Sequence, residues 1–231
     1  METERILDEY RSRERRLTPG MYSILRSANA CNVRGLEQGL LQNLAEAGIA
    51  DLSPLQFLDV GCGTGGQLLR WIQWGARPER CHGVELIPER VQEAKQRLAP
   101  TVEVLHSDAS RLPFGDSCFD ITTQFTVFST ILDEEMQMAV AREMLRVTRP
   151  GGFILSYDFF WNPINRSTRG VGLKRLRQMF PGCRMHARRI TLAPPITRKL
   201  ASVSPLFCEL MEAVRLFNSH LLVKIFKSAE T

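Results

Sequence analysis

Residues 57–68 read FLDVGCGTGGQL, a short apolar run with an acid in it, Asp59, that breaks into Gly61, Gly63, Gly65 and Gly66. Such a run describes a buried strand that stops where the backbone must turn. Two spacings overlap in the turn. Gly61, Gly63 and Gly66 satisfy G-x-G-x-x-G, whose glycines let a backbone approach the pyrophosphate of a dinucleotide at a helix N-terminus. Gly61, Gly63 and Gly65 equally satisfy G-x-G-x-G, with Asp59 two residues upstream. Which spacing is in use decides the cofactor.

Composition bounds the answer. At 231 residues, 44% hydrophobic and 24% charged, the chain is expected to form one globular unit over 1–231 with a full core. The start, METERILDEYRSRERR, lacks the apolar run of a secretory signal, and no stretch approaches about 18 consecutive apolar residues, so a cytoplasmic protein is expected. Cys31, Cys62, Cys81, Cys118, Cys183 and Cys208 lie far apart with no C-x-x-C pair. They read as reduced thiols that mostly fill the core, and no metal is expected. The net charge of +5 is unevenly placed: past Gly151, thirteen basic residues from Arg166 to Lys227 face four acids. A positive face is expected there, compatible with solvent, an anionic substrate, RNA or an acidic membrane surface.

Along the chain, apolar runs alternate with amphipathic segments. Gln56–Val60 is the first strand, and the glycines open a helix carrying Leu68, Leu69, Trp71 and Ile72. Cys81–Leu86 is a second strand, followed by a helix with Pro88 in its first turn and Val91, Ala94 and Leu98 at helical spacing. VEVLH, ending at His106, is the third strand, and FDITTQFTVF is the fourth with its loop. Glu134–Val147 reads as a helix closed by the turn RPGG, and FILSYDF as the fifth strand. This alternation predicts a parallel sheet with helices on both faces.

Ligands of doubly wound sheets sit outside the carboxyl ends of the strands. Four such ends carry polar groups: Asp59 with the glycine turn, Glu85, Asp108 and Gln124. Glu85 suits a pair of ribose hydroxyls, which NAD and S-adenosylmethionine share. Asp59 discriminates, because a carboxylate inside the turn would repel a pyrophosphate but would accept donors around the ammonium of a methionine moiety. Asp108 agrees: a carboxylate there accepts the exocyclic amino group of adenine, while the N–H of Ala109 meets a ring nitrogen.

With these residues in place, the chain resembles the class I S-adenosylmethionine-dependent methyltransferases of the ubiquinone-biosynthesis-like, small-molecule type. The resemblance runs from Leu55 to Phe160 through LDVGCGTG, GVEL, SDASRLPF, FDITTQF and EMLRVTRPGGFILSYDF. It implies a Rossmann-like, doubly wound α/β fold whose sheet has seven strands, the last antiparallel, with S-adenosyl-L-methionine as cofactor and S-adenosylhomocysteine as product. Carried over residue by residue, it puts Asp59, Gly61, Cys62, Gly63 and Gly65 on the methionine part. Glu85 and Leu86 go to the ribose, Asp108 and Ala109 to adenine, and Gln124 and Phe125 to the sulfonium end. Many relatives carry a histidine pair after the fourth strand, where this chain has VFSTILD with Ser129 and Thr130, so a histidine base at that place is excluded.

A base is needed chiefly when the nucleophile is a hydroxyl or a charged amine. Asp158 is the first candidate, because Tyr157, Phe159, Phe160 and Trp161 beside it suggest an aromatic-rimmed pocket. His106, beside the adenine acid, is the second. Asp133 precedes EEMQMAV and reads rather as a helix N-cap. The segment 1–50 is expected to be a helical cap before the core at 54–160, with Tyr10, Arg16 and Tyr22 over cofactor or substrate and RSRERR as a solvated helix face. In the substrate-side part, 161–231, CRMHARRITL and SHLLVKIF read as the sixth and seventh strands. Between them, Leu206, Phe207, Leu210, Met211 and Val214 share a helical face, which predicts a helical insertion over the edge of the active site. That stripe reads as core, with contact to a membrane surface through 203–226 as the other reading.

The function expected is methyl transfer to a small molecule, with a hydroxyl oxygen of a sugar or phenol favoured. Two alternatives stay open. A tRNA or rRNA methyltransferase would use the basic C-terminal third, although the chain has no appended RNA-binding module, and nucleic acid is not the expected partner. A non-catalytic protein that binds S-adenosylmethionine is the other.

Overall fold

The computed structural model describes residues 2–16, 18, 20–161, 167–201, 205–215 and 217–227. Arg166 and the side chain of Leu206 lie outside the described residues, as do parts of the 203–226 segment. The cap comprises α1 (Glu2–Arg16) and α2 (Ser27–Glu46). The core then runs β1 (Phe57–Val60), α3 (Gly66–Gln73), β2 (Cys81–Glu85), α4 (Pro88–Arg97), β3 (Glu103–His106), β4 (Phe119–Phe125), α5 (Val127–Thr130), α6 (Glu134–Val147) and β5 (Thr148–Phe159). It closes with α7 (Leu173–Met179), β6 (Arg184–Leu192), α8 (Pro194–Leu200), α9 (Pro205–Val214) and β7 (Asn218–Phe226).

The strands form one seven-stranded sheet in the order β3-β2-β1-β4-β5-β7-β6. β1 to β5 pair in parallel, and β7 is antiparallel to both β5 and β6. This is the doubly wound topology expected, with the helical insertion α8 and α9 before the last strand. Each sheet face carries its own core. Leu58, Val60, Ile154 and Val223 pack under α6 and α7 with Phe128, Met144 and Phe180, while Phe57, Leu155 and Leu222 pack under α2 and α3 with Leu40, Leu68 and Trp71. Asp133 caps α6, its carboxylate accepting the N–H of Met136 at 2.8 Å, as the sequence predicts.

Two elements depart from the sequence reading. RPGG does not end before the fifth strand; it is a bulge within β5, where pairing jumps from Phe119↔Thr148 to Ile121↔Phe153. Gly151 has φ +78°, and a Cβ on Gly152 would meet the Asp120 carbonyl oxygen at 2.6 Å. The second concerns α9. Its buried side turns Cys208 toward Cys31 of α2 and Glu212 toward the N–H of Thr191, which Oε1 accepts at 2.7 Å. The apolar stripe is therefore rotated outward: Phe207, Leu210 and Val214 are exposed rather than in the core. α9 packs on α2 and β6, and no described residue of α8 or α9 lines the cavity described below. Among the described residues, no helix is long and apolar enough to cross a membrane.

Candidate active site

The ends of β1, β2 and β4 and the loop after β3 open into a cavity of about 480 Å³ beneath α1. That size falls in the range of about 300–1,000 Å³ usual for small-molecule sites. The backbone of the glycine turn shapes its floor. Gly61, Gly63 and Gly65 have φ of 68°, 56° and 81°, a region that side chains disfavour. At Gly61 a Cβ would also strike Val127 Cγ2 at 2.5 Å, so the turn and the α5 wall approach closely only with glycine there.

Three carboxyl groups line this floor. Asp59 is 2% exposed and its Oδ1 accepts the Thr123 hydroxyl at 2.6 Å. Burial pushes its carboxyl up to about 7, and the charge of Glu85 adds to the rise. An acid so placed gains from a cation. Glu85 accepts the Gly63 N–H through Oε2 at 2.8 Å and the Ile87 N–H through Oε1 at 2.9 Å. It fixes the glycine turn against β2, and each oxygen keeps a lone pair for a hydroxyl donor. Asp108 accepts the Ser110 N–H at 2.8 Å through Oδ1, while the Thr3 hydroxyl lies 3.4 Å from Oδ2.

The roof comes from α1 and the turn after it. Ile6, Tyr10, Arg13 and Tyr22 line the cavity. Arg13 donates to the Tyr22 hydroxyl at 2.8 Å, and Arg90 of α4 stacks its guanidinium 4.2 Å from the Tyr10 ring centroid. The N-terminus of α1 is tied to the loop after α5. Glu2 Oε1 accepts the Leu132 N–H at 2.6 Å, and Arg5 Nη2 donates to the Thr130 carbonyl at 2.5 Å. Opposite the acids the wall is largely apolar: Phe125, Val127, Ile131 and Met136, interrupted by Thr126 and Thr130.

Nine of the residues expected to bind the cofactor line this cavity: Asp59, Gly61, Cys62, Gly63, Glu85, Leu86, Asp108, Ala109 and Phe125. Tyr10 and Tyr22 join them from the cap. Gly65 does not; it is the left-handed N-cap of α3, with its Cα against Leu98. Gln124 does not either, and the reason it shares with Asp158 is the pleat. Both fall on the sheet face under α5. There Gln124 Nε2 donates to Asp158 Oδ2 at 2.5 Å and to Ser156 Oγ at 2.6 Å. Gln124 Oε1 accepts the Val127 N–H and Asp158 Oδ1 the Ser129 N–H, both at 2.9 Å. Asp158 is thus a buried cap of α5 and is not among the residues that line the cavity.

The aromatic rim expected around Asp158 is absent from the cavity as well. Tyr157 points to the opposite face, donating to or accepting from the Thr191 hydroxyl at 2.8 Å and stacking on His220 at 4.7 Å. Phe160 lies under Arg189, whose guanidinium is 4.9 Å from its ring, and Trp161 is 65% exposed. The start of β7 takes the space beyond β5, since the Phe160 N–H bonds the Ser219 carbonyl. His106 sits on the edge strand β3 with Nε2 2.9 Å from the Leu86 carbonyl, facing an outer hollow between α1 and α4. Arg16 lies past the cavity, exposed and paired with Glu9 at 3.0 Å.

Sequence reading passed over Gln67, Arg90, Val127, Ile131 and Met136, all of which line the cavity, and Arg13, expected on a solvated helix face, lines it too. Gln67 carried a signal, being the one polar side chain between the glycines and Leu68 in the opening stretch. The others come from segments whose approach depends on tertiary packing.

Comparison with known proteins agrees with this geometry. Residues 57–152 match the model of a methyltransferase domain family. The norajmaline N-methyltransferase of Rauvolfia serpentina is 32% identical over 148 residues, 60% of this chain and 48% of that protein. The chain therefore spans about half the length of that relative. The demethylmenaquinone methyltransferase of Streptomyces griseus is 28% identical over 188 residues, covering 80% of this chain and 71% of that one. Among solved structures, an S-adenosylmethionine-dependent methyltransferase from Mesorhizobium loti shares the fold, with a TM-score of 0.55 and 17% identity over 80% of this chain and 95% of that chain.

Proposed function

The chain carries a class I S-adenosylmethionine-dependent methyltransferase domain, and on that premise we propose that it transfers the methyl group of S-adenosyl-L-methionine to a small-molecule acceptor. The observation that carries the reading is the buried acid at the glycine turn. Asp59 stands where a dinucleotide would bring its pyrophosphate, and like charge disfavours that ligand, whereas Glu85 suits the ribose of either cofactor. Asp59 would instead hold the ammonium of the methionine part, Glu85 the ribose hydroxyls, and Asp108 with the Ala109 N–H the adenine. When bound, the cofactor supplies a methyl group on a sulfonium that departs as a neutral thioether. The chain's own contribution is then alignment and exclusion of water by α1, which supply much of the rate of an in-line displacement.

The acceptor we favour is a hydroxyl oxygen, and the apolar wall of Phe125, Val127, Ile131 and Met136 supports a phenol over a sugar. None of Asp158, Asp133 and His106 is among the cavity residues. A phenol ionises near pH ~10, well below an aliphatic alcohol, and so depends least on a base from the protein. No described residue beyond Met136 lines the cavity, so the described part of the basic C-terminal third does not contribute to its wall, which favours a small molecule over RNA.

Isothermal calorimetry with S-adenosylhomocysteine and NAD tests the proposal. Micromolar binding of the first and none of the second is the expected result. Affinity for S-adenosylhomocysteine should fall as pH drops below about 7, because Asp59 then holds a proton in the free protein that the ligand ammonium must displace. Binding of NAD without S-adenosylhomocysteine would remove the reading.

A further inference from the structure

The turn between α1 and α2 keeps its backbone inside and its apolar side chains outside. The Asn29 amide donates to the carbonyls of Met21 and Ser23, both at 2.9 Å, and Ser23 Oγ accepts the Leu25 N–H at 3.2 Å. The N–H groups of Met21, Ser23 and Arg26 bond the carbonyls of Thr18, Gly20 and Ser23. Leu25 is nonetheless 91% exposed, with Met21 and Ile24 exposed beside it. A turn whose backbone groups are satisfied has its shape set in advance, and apolar side chains held outside it mark a contact surface.

The outer face of α9 lies at the same end of α2. Ala28 and Cys31, just past the turn, pack with Leu200, Ala201 and Cys208. This puts the buried side of α9 on α2 and leaves Leu210 and Val214, each 60% exposed, and Phe217 facing out. The two apolar groups therefore flank the first turns of α2. Charge narrows what can cover them. Residues 18–34 carry Arg26 and Arg34 and no acid, and residues 193–217 carry Arg198, Lys199 and Arg215 against Glu209 and Glu212. All five cations are exposed, while Glu212 is turned inward onto the Thr191 N–H. A second copy of the chain laid on this face would bring like charges together. Apolar side chains set among cations match instead the boundary between acyl chains and anionic headgroups. We infer that the turn at 20–26 and the outer face of α9 dock on an anionic lipid bilayer. Tyr22 belongs both to the turn and to the cavity wall, so docking brings the cavity to the lipid surface, where an apolar acceptor collects. That consequence rests on the methyltransferase reading; the docking itself does not.

Flotation of the full chain with vesicles tests the docking, using phosphatidylcholine alone and equal parts of phosphatidylcholine and phosphatidylglycerol. The chain should float with the anionic vesicles, float far less with the neutral ones, and be released as salt is raised. Ile24→Ser with Leu25→Ser, and separately Leu210→Ser with Val214→Ser, should each weaken binding by about 10-fold or more, since each pair withdraws two apolar side chains from the acyl boundary. Arg26→Gln with Arg198→Gln should weaken binding by roughly 10-fold, on the anionic vesicles alone. None of these residues lines the cavity, so circular dichroism and S-adenosylhomocysteine binding without vesicles should match the wild type. Equal vesicle binding by the wild type and both apolar variants would assign the contact to charge elsewhere on the chain and overturn the inference. So would no binding to either vesicle. A dimer in sedimentation velocity that the apolar variants dissociate, without vesicle binding, would make the face an interface between copies and overturn it too. Vesicle binding by a wild-type chain that binds no S-adenosylhomocysteine would leave the docking in place and remove the methyltransferase reading instead.

Discussion

Asp158 illustrates what a single residue contributes. α5 begins at a left-handed Thr126 that offers no side-chain cap, so its first N–H groups need partners from elsewhere. Gln124 takes the N–H of Val127 and Asp158 that of Ser129, which fixes the helix whose Val127 and Thr130 line the cavity. Burial pushes the Asp158 carboxyl up to about 6. Its folded-state value lies above the unfolded one, so its contribution to stability is full below about 4 and is lost as pH rises through about 6. Asparagine at this position does not titrate. The stability advantage of the wild type over Asp158→Asn should therefore be larger at pH 4.5 than at pH 7.5, read as the difference in Tm. Affinity for S-adenosylhomocysteine should change by less than about threefold, a fraction of one hydrogen bond. A pH-independent difference, or a large loss of affinity, would show that the carboxylate has another role.

At the scale of elements, the site depends on how closely α3 lies on the sheet. Gly83, in the middle of β2, has no room for a side chain: a Cβ would meet Cys62 Sγ at 2.8 Å and Leu68 Cδ1 at 2.9 Å. Cys62 belongs to the glycine turn and Leu68 to α3, so an added methyl would press on both at once. Overpacking of a filled core costs typically about 1–3 kcal/mol. Gly83→Ala should lose stability in that range by urea denaturation and also weaken S-adenosylhomocysteine, because the turn must shift. Wild-type stability in the variant would mean that α3 yields freely. The outward face of α9 belongs to this scale too. Its spacing at Phe207, Leu210 and Val214 is helical, but periodicity does not say which side is covered, and Cys208 with Glu212 took the inner one.

For the molecule as a whole, α1 closes the cavity without a covalent or large apolar attachment. Of its residues only Ile6 is buried, and its N-terminus is held by polar contacts to the α5–α6 loop and to Asp108. Elements held by so few buried contacts open at low free-energy cost. Ligand exchange should therefore pass through displacement of α1. The double change Glu2→Ala with Arg5→Ala removes the tie to Leu132 and Thr130 while leaving the acids of the floor in place. Dissociation of S-adenosylhomocysteine in stopped flow should accelerate by about 10-fold, the equivalent of one charge-assisted hydrogen bond. Slower hydrogen exchange in α1 on ligand binding should accompany it in the wild type. An unchanged rate would place the exchange path elsewhere.

The sequence by itself determined the architecture, because strand and helix periods and the glycine turn are local properties that the chain carries residue by residue. It also located the floor of the cavity: Asp59, Glu85 and Asp108 end successive strands of a parallel sheet, and such ends converge whatever the details of packing. Tertiary structure alone decided which neighbours of those residues face the ligand. Tyr157 and Asp158 are adjacent in sequence, and alternation sends them to opposite faces, but which face is which follows from pairing register and from the insertion of β7 beside β5. Likewise Arg13, Arg90 and Met136 reach the cavity only because α1, α4 and α6 approach it in space, across separations that no local pattern records. The apolar surface shared by the turn after α1 and by α9 could not be seen before Ala28 and Cys31 were brought against Cys208, since which side of a helix is left uncovered is a property of the packed molecule.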